Sequence, residues 1–280
     1  MSHFTGKVAV VTGAGSGIGR ALALGLARRG ARLAISDVNE AGLAETESLA
    51  KGLGAEVHAA RLDVSDRAAF EAYADEVVTH FGSVNQIYNN AGIAFNRSIV
   101  ESEWEDYERV WSINLWGVLH GTKIFLPHLI ASGDGHVINI SSLNGVMAQA
   151  NMSHYCGAKF AVRGITETLR LELEAAGHPV KTLSVHPGGI KTNIATNATI
   201  AAKERGEEIT AKEIALEKVY NEKLLKMSPD SAADVILKAV EKGKPRIMVG
   251  NDAKALDLLI RLTPSHSLTL ISKGMGLVMR

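Results

Sequence analysis

Val8-Ala-Val-Val-Thr12-Gly-Ala-Gly-Ser-Gly-Ile-Gly19 is the stretch on which the reading of this chain turns. Five residues of unbroken apolar and β-branched character read as a buried strand. They run straight into four glycines within seven residues, and a helical pattern continues from Gly17 to about Gly30. Such a glycine turn lets backbone approach a pyrophosphate, and the helix behind it aims unpaired amides and a positive dipole end at the phosphates. The strict G-x-G-x-x-G fingerprint fails, because Ile18 stands where the third glycine belongs. The spacing is G-x-x-x-G-x-G instead. Its place between a strand and a helix, near the N-terminus, carries more weight than the glycines alone.

Outward from that turn the rhythm repeats. Arg32–Asp37, Val57–Asp63, Val84–Asn90, His136–Ser142 and Val180–His186 read as further strands, and Arg246–Val249 as a short one. Between them lie helical patterns at Asn39–Gly54, Asp66–Phe81, Glu103–Ser132, about Tyr155–Ala176 and Ser231–Lys242. Alternation of this kind predicts one doubly wound α/β domain of Rossmann type, its parallel sheet covered by helices on both faces. The boundaries expected are a core over 1–192, a polar helical excursion over 193–227 that covers a site, and an apolar C-terminal extension over 251–280. Composition agrees, with 46% apolar and 21% charged residues in 280.

Other classes of function drop out. Thirty basic residues balance thirty acidic ones, which leaves no electrostatic footprint for nucleic acid. No apolar run approaches the roughly 20 residues that cross a bilayer. The tail's apolar Ala255–Leu262 and Leu268–Met279 are short and poor in basic residues. They are expected to pack on the body, cover the pocket or bury against another subunit, with peripheral membrane contact as the alternative. A single cysteine, Cys156, excludes an intrachain disulfide. Met1 leads into a strand without the basic region and cleavage site of a signal peptide, so a cytoplasmic protein is expected. His120, His128, His136 and His154 show no metal-ligand spacing, and no metal is expected.

Two further places carry chemistry. Asp37 closes the second strand about 20 residues beyond the glycine turn, where a carboxylate accepts bonds from adenosine ribose hydroxyls and repels a 2′-phosphate. Capping of the next helix is the alternative duty, one that Asn39 could also perform. No arginine or lysine follows Asp37 directly, which favours NAD over NADP. Tyr155 and Lys159 stand four apart and share one helix face. A tyrosine is a poor acid or base near neutrality, but an adjacent ammonium favours its phenolate. Tyr155 then becomes a candidate proton carrier between water and an alcohol or ketone oxygen.

These motifs in this order resemble the short-chain dehydrogenase/reductase family over roughly Gly6 to Thr192. The family's glycine turn matches Thr12–Gly19, and its Asn-Asn-Ala-Gly matches Asn89-Asn90-Ala91-Gly92. Asn114, Ser142, Tyr155 and Lys159 match the catalytic set, and Pro187, Gly188 and Thr192 match the last cofactor loop. The resemblance implies that Ser142 holds the substrate oxygen and that Tyr155 passes the proton. It implies that Lys159 binds the nicotinamide ribose and lowers the tyrosine pKa, while Asn114 holds a relay water. Gly13, Ser16, Gly17, Ile18, Gly19, Asn90, Ala91 and Gly92 would surround the dinucleotide. Asp63 and Val64 would meet the adenine, and Ile190 and Thr192 the carboxamide. Ser141 is the rival of Ser142, and spacing to Tyr155 favours Ser142. The family's frequent serine before the lysine is Ala158 here.

The pocket walls implied, Ile93, Phe95, Leu143, Val146, Met147 and Ile194, are apolar. A hydrophobic secondary alcohol or ketone is therefore the expected substrate. The rivals are a 3-oxoacyl-carrier-protein reductase, which Asp37 disfavours, and an NAD(H)-binding sensor, which an intact catalytic set disfavours. The family also implies a homodimer or homotetramer through the helices after the fourth and fifth strands.

Overall fold

The protein is described from a computed structural model, which covers residues 3–192, 206, 225–269 and 271. Seven parallel strands form one sheet in the order β3-β2-β1-β4-β5-β6-β7. They are β1 (Val8–Thr12), β2 (Arg32–Asp37), β3 (Val57–Arg61), β4 (Gln86–Asn89), β5 (Gly135–Ile140), β6 (Val180–Pro187) and β7 (Arg246–Val249). The helices between them are α1 (Gly17–Ala27), α2 (Glu40–Gly52), α3 (Arg67–Phe81), α4 (Trp104–Trp111), α5 (Gly117–Ala131), α6 (Ser153–Ala175), α7 (Pro229–Glu241) and α8 (Asn251–Leu262).

Both faces of the sheet are covered. Ala9, Val11, Leu33 and Ile35 point to one side, where they pack with Leu22 and Leu26 of α1 and Ile236 and Leu237 of α7. Val8, Val10 and Ala34 point to the other and meet Phe70 of α3 and Phe125 and Leu129 of α5. This is why the strands read as continuous apolar runs rather than alternating ones. Phe70 and Phe125 are wholly buried, their rings edge to face at 6.3 Å. Each contributes about 2 kcal/mol through burial alone.

Local chemistry sets the helix ends. The Asn39 side chain accepts from the Gly42 amide at 3.1 Å and starts α2, and Asp66 does the same for α3 through Ala69 at 3.0 Å. Gly82 closes α3 at a left-handed φ of 74°. Ser228, with Pro229 in the first turn, starts α7.

Three differences between sequence and structure bear on the site. The expected helix Glu103–Ser132 forms as one run from Trp104 to Ala131, but its middle, Ser112–Trp116, is a π turn with Asn114 at its centre. β5 ends at Ile140 rather than Ser142, because the Ser142 hydroxyl accepts from the Asn144 amide and opens a short 3₁₀ turn, Leu143–Gly145. α6 begins at Ser153, so Tyr155 lies in its first turn. The covering segment expected over 193–227 lies outside the described residues except for Gly206 and 225–227.

Candidate active site

The strand order reverses between β1 and β4, and a crevice opens there at the carboxyl ends of the strands. Thr12 and Asn90 line it and fasten the two strand ends together. Asn90 Nδ2 donates to the Thr12 and Gly13 carbonyls at 3.0 and 3.1 Å, and Thr12 Oγ1 accepts from the Asn90 and Ala91 amides, both at 3.1 Å. Gly13 has φ +66°, and a Cβ there would stand 2.8 Å from Ala91 Cα. One on Gly19 would overlap the Gly13 carbonyl oxygen. Side chains are thus excluded where the turn passes β4, and bare backbone faces the crevice.

Asp37 is not the cap of α2; Asn39 is. The Asp37 carboxylate instead accepts from the Gly15 amide at 2.8 Å and from Asn39 N at 2.9 Å. It therefore holds the glycine turn from the end of β2, half-buried at the crevice rim. Arg20 braces the same turn, with Nη2 on the Gly15 carbonyl at 2.6 Å and on Gly42 O at 3.1 Å, and Nε on Thr46 Oγ1 at 2.9 Å. Asp63 accepts from the Ser65 amide and hydroxyl at 2.9 and 2.6 Å. Val64 is buried beside it against the π turn, so close that a Cβ on Gly117 would stand 2.6 Å from Val64 Cγ2. Thr192 comes to the glycine turn from the far end of the chain, its Cγ2 3.2 Å from a Cβ placed on Gly17. Ile190 is buried and pairs with Met227.

At the other wall of the crevice Lys159 is buried, and its Nζ donates to the Ile140 carbonyl at 2.9 Å. That ammonium lies 5.7 Å from the centroid of the Tyr155 ring. Burial lowers the Lys159 pKa to about 8, since the charged form loses its hydration. Asn114 is fully buried and clamps the backbone of Ile93, donating to its carbonyl and accepting from its amide, both at 2.8 Å. Asn114 Oδ1 and Lys159 Nζ both face Gly92, at 3.1 and 3.6 Å from a Cβ built there. The π turn, a feature that recurs at functional sites, presents Asn114 to this corner.

Ser141 and Ser142 part company here. Ser141 Oγ is buried and donates to the Lys159 carbonyl at 2.9 Å, tying β5 to α6. Ser142 is half-exposed, and its Oγ accepts from Asn144 N at 3.1 Å. That bond uses the Ser142 oxygen as acceptor and does not use its hydroxyl hydrogen.

Beneath this corner is a buried polar chain. Asn89 Nδ2 donates to Asn139 Oδ1 at 2.8 Å and to Thr122 Oγ1 at 3.1 Å, and Asn139 Nδ2 donates to Thr166 Oγ1 at 2.9 Å. It locks β4, β5, α5 and α6 in one register, which fixes the distance between Asn90 and Tyr155.

Two supports were not foreseen from the sequence. Asp106 is buried between Arg97 Nη1 at 2.7 Å and Arg109 Nη2 at 3.3 Å, and the Phe95 ring lies under both guanidiniums. Phe95 also stacks on His154, the residue before Tyr155, at 4.2 Å. Asp252 of α8 accepts from Gly189 N at 2.7 Å, and its carboxylate fills the space a side chain at Gly188 would need. In addition α8 lays Ala253, Leu256, Leu259 and Ile260 on Leu143, Val146 and Met147, so the first part of the tail packs on the loop after β5. Residues 270 and 272–280 of the tail lie outside the described residues.

A doubly wound parallel sheet, a glycine turn at its switch point and a Ser–Tyr–Lys grouping on the same crevice define a Rossmann-type oxidoreductase. The chain belongs to the short chain dehydrogenase family, which it matches over residues 7–203. It is 54% identical over 276 residues to the putative oxidoreductase SadH of Mycobacterium tuberculosis, covering 99% of this chain and 98% of that one. A short chain dehydrogenase/reductase of Burkholderia phymatum in complex with NAD superposes with a TM-score of 0.86 at 31% identity, over 94% of this chain and 95% of that one. Carveol dehydrogenase of Mycobacterium avium in complex with NAD gives a TM-score of 0.76 at 25% identity, over 89% and 99%. The sheet and the family are those expected from the sequence. Among the described residues no helix is long and apolar enough to cross a membrane, and no group of side chains is arranged to hold a metal ion.

Proposed function

We propose that this oxidoreductase uses NAD to interconvert a hydrophobic secondary alcohol and its ketone, with Tyr155 as acid and base. The observation that carries the reading is the buried Lys159 ammonium, 5.7 Å from the Tyr155 ring centroid, at the end of the crevice opposite the glycine turn. In that position a cation stabilises the phenolate over the phenol.

The residues fit a dinucleotide. A turn stripped of side chains by close approach to Ala91 leaves room for a pyrophosphate, and the N-terminus of α1 faces it. Ser16, Gly17, Ile18 and Gly19 would take the phosphates. Asp37, free of any basic neighbour that follows it, would take the adenosine ribose and favour NAD over NADP. Asp63 and Val64 would meet the adenine, Asn90, Ala91 and Gly92 the nicotinamide-side ribose, and Pro187, Gly188, Ile190 and Thr192 the carboxamide. Bound nicotinamide would supply or take up the hydride at the substrate carbon.

This chain's side chains do the rest. The Ser142 hydroxyl donates to the substrate oxygen and stabilises the charge that develops on it. Tyr155 delivers a proton to that oxygen during reduction and removes it during oxidation. Lys159 holds the ribose and, below about pH 8, keeps its charge beside the tyrosine. Asn114 anchors Ile93 and, facing Lys159 across Gly92, would hold the water that carries protons outward.

The substrate class follows from the walls. Leu143, Val146 and Met147 are apolar and backed by α8. Arg97, on the loop after β4, is paired with the Asp106 carboxylate of the protein itself. An apolar groove of about 550 Å³ between α5 and α6, lined by Leu119, Leu126, Ala161, Ile165 and Leu169, supports a homodimer or homotetramer built on those helices. A buried free thiol at Cys156 suits a cytoplasmic enzyme.

The test is nicotinamide absorbance in both directions, with NAD(H) and NADP(H), across secondary alcohols and ketones of graded size and polarity. NAD-linked turnover that rises with apolar bulk supports the reading. Preference for NADP overturns the role of Asp37, and preference for acyl-carrier thioesters overturns the substrate class. Tight NADH binding with no turnover on any of them favours a sensor.

A further inference from the structure

His186 is the penultimate residue of β6 and is wholly buried, yet the reaction proposed above gives it no part. Neither of its ring nitrogens is idle. Nδ1 lies 2.8 Å from the Ser142 carbonyl oxygen and Nε2 lies 2.9 Å from Ser184 Oγ. A carbonyl can only accept, so Nδ1 carries the hydrogen. Nε2 of the neutral ring is then bare and accepts from the Ser184 hydroxyl. Ser184 and His186 are two apart on one strand, so both side chains leave the same face of β6. The tautomer and the ring plane are fixed from both ends.

We infer that His186 is a positioning residue, which fixes the Ser142 turn through the chain Ser184 hydroxyl, His186 imidazole, Ser142 carbonyl and so aims the Ser142 hydroxyl at the substrate. The inference rests on the assignment of Ser142 to the substrate oxygen.

The need for such a brace is local. β5 pairs with β6 only as far as Ile140, and the Ser141 amide still reaches the Val185 carbonyl at 2.8 Å. Beyond that point the ladder is finished, and Ser142 must leave the sheet in an extended conformation, φ −165° and ψ 167°, to open the 3₁₀ turn. Its carbonyl is taken by Gly145 N from within the turn at 2.9 Å and by His186 from the sheet. The imidazole is therefore a side-chain bond that ties the turn to the sheet where the backbone ladder has stopped. The ring cannot itself touch substrate, because both nitrogens are spent and no part of it is exposed. Burial pushes its pKa down to about 4, so the neutral form that the two bonds require is the form present near neutrality.

The test compares His186→Leu, His186→Asn and Ser184→Ala with the wild type, reading kcat, KM for the ketone and the NADH dissociation constant separately. Asparagine places an amide N–H close to the position of Nδ1, and leucine places none. With the hydroxyl of Ser142 misaimed, His186→Leu is expected to lose roughly 10- to 100-fold in kcat, with NADH affinity changed by less than about threefold. His186→Asn should recover most of that loss, and Ser184→Ala should fall between. Equal kcat in the leucine and asparagine variants would overturn the inference, as would a kcat loss matched by an equal loss of NADH affinity, which would assign His186 to the cofactor loop. Ring ¹⁵N spectra of the wild type give an independent reading, with Nδ1 protonated and Nε2 bare expected. The opposite tautomer overturns the brace even in an active enzyme. The expected tautomer in a protein without Tyr155-dependent turnover places the failure in the proposed reaction instead.

Discussion

The two walls of the crevice are built by different means. On the side of β1, β2 and β4 bare glycine backbone packs directly against Ala91, and the Asn90 and Asp37 side chains only fasten that turn in place. On the side of α4, β5, β6 and α8 side chains brace the wall. His186 reaches back 44 residues to Ser142, Asp252 reaches 63 to Gly189, and the apolar face of α8 covers the 143–147 loop. Close backbone approach tolerates almost no change of residue, whereas a side-chain brace can be exchanged for another of equal reach. The first arrangement suits a ligand of constant shape, and the second suits a pocket whose occupant differs from one relative to the next.

Breaking the backbone wall is expected to have the largest effect. Gly19→Ala drives a methyl group into the Gly13 carbonyl and the Asn90 amide. It should weaken NADH binding by roughly 100-fold or more, measured by fluorescence titration, while the sheet remains folded by circular dichroism. A variant that binds NADH as the wild type does would show that the turn does not carry the cofactor.

A cut in the side-chain wall should be milder and should separate substrate from cofactor. Asp106→Ala removes the carboxylate that Arg97 and Arg109 share above Phe95. Loss of about 2 kcal/mol in denaturant unfolding is expected, less than for a wholly buried triad because both guanidiniums keep some contact with water. The KM for the ketone should rise roughly tenfold with NADH affinity kept, since Phe95 stacks beside the helix turn that bears Tyr155. Equal losses for both ligands would erase the distinction between the walls.

The smallest effect on activity is expected of a group that acts on stability alone, and only in acid. Burial lowers the pKa of His136 at the start of β5 to about 4, as it does for His186. A histidine that must stay neutral when folded binds its proton more readily when unfolded. Its contribution is complete above the unfolded value near 6.5 and is lost as the pH falls from there towards 4. His136→Leu should flatten the fall in unfolding free energy over that window, by about 3 kcal/mol at most, and leave kcat at pH 7 unchanged. A slope identical to that of the wild type would contradict the neutral assignment.

What was legible in the sequence follows the same division. The glycine turn, Asn89–Gly92 and the Tyr155–Lys159 spacing are local patterns, and local patterns write themselves into consecutive residues. Ser142 was separable from Ser141 only by its spacing to Tyr155; the structure adds the reason, that Ser141 is spent on the Lys159 carbonyl. For Asp37 position favours the ribose over capping of α2, and Asn39 is the cap. The π turn at Asn114 has no signal in a helical pattern that runs unbroken from Trp104 to Ala131, because inserting one residue into a turn leaves the apolar rhythm on either side intact. His186 and Asp252 were invisible as supports because their partners are fixed only by the sheet order and the return of α8.

The central claim is that the two walls meet in one acid–base group, Tyr155, held beside Lys159. Tyr155→Phe tests it most directly, with NADH affinity and turnover measured on the same preparation. The expected result is NADH binding within about threefold of the wild type and turnover lower by about a thousandfold. Turnover that survives the loss of the hydroxyl would contradict the account.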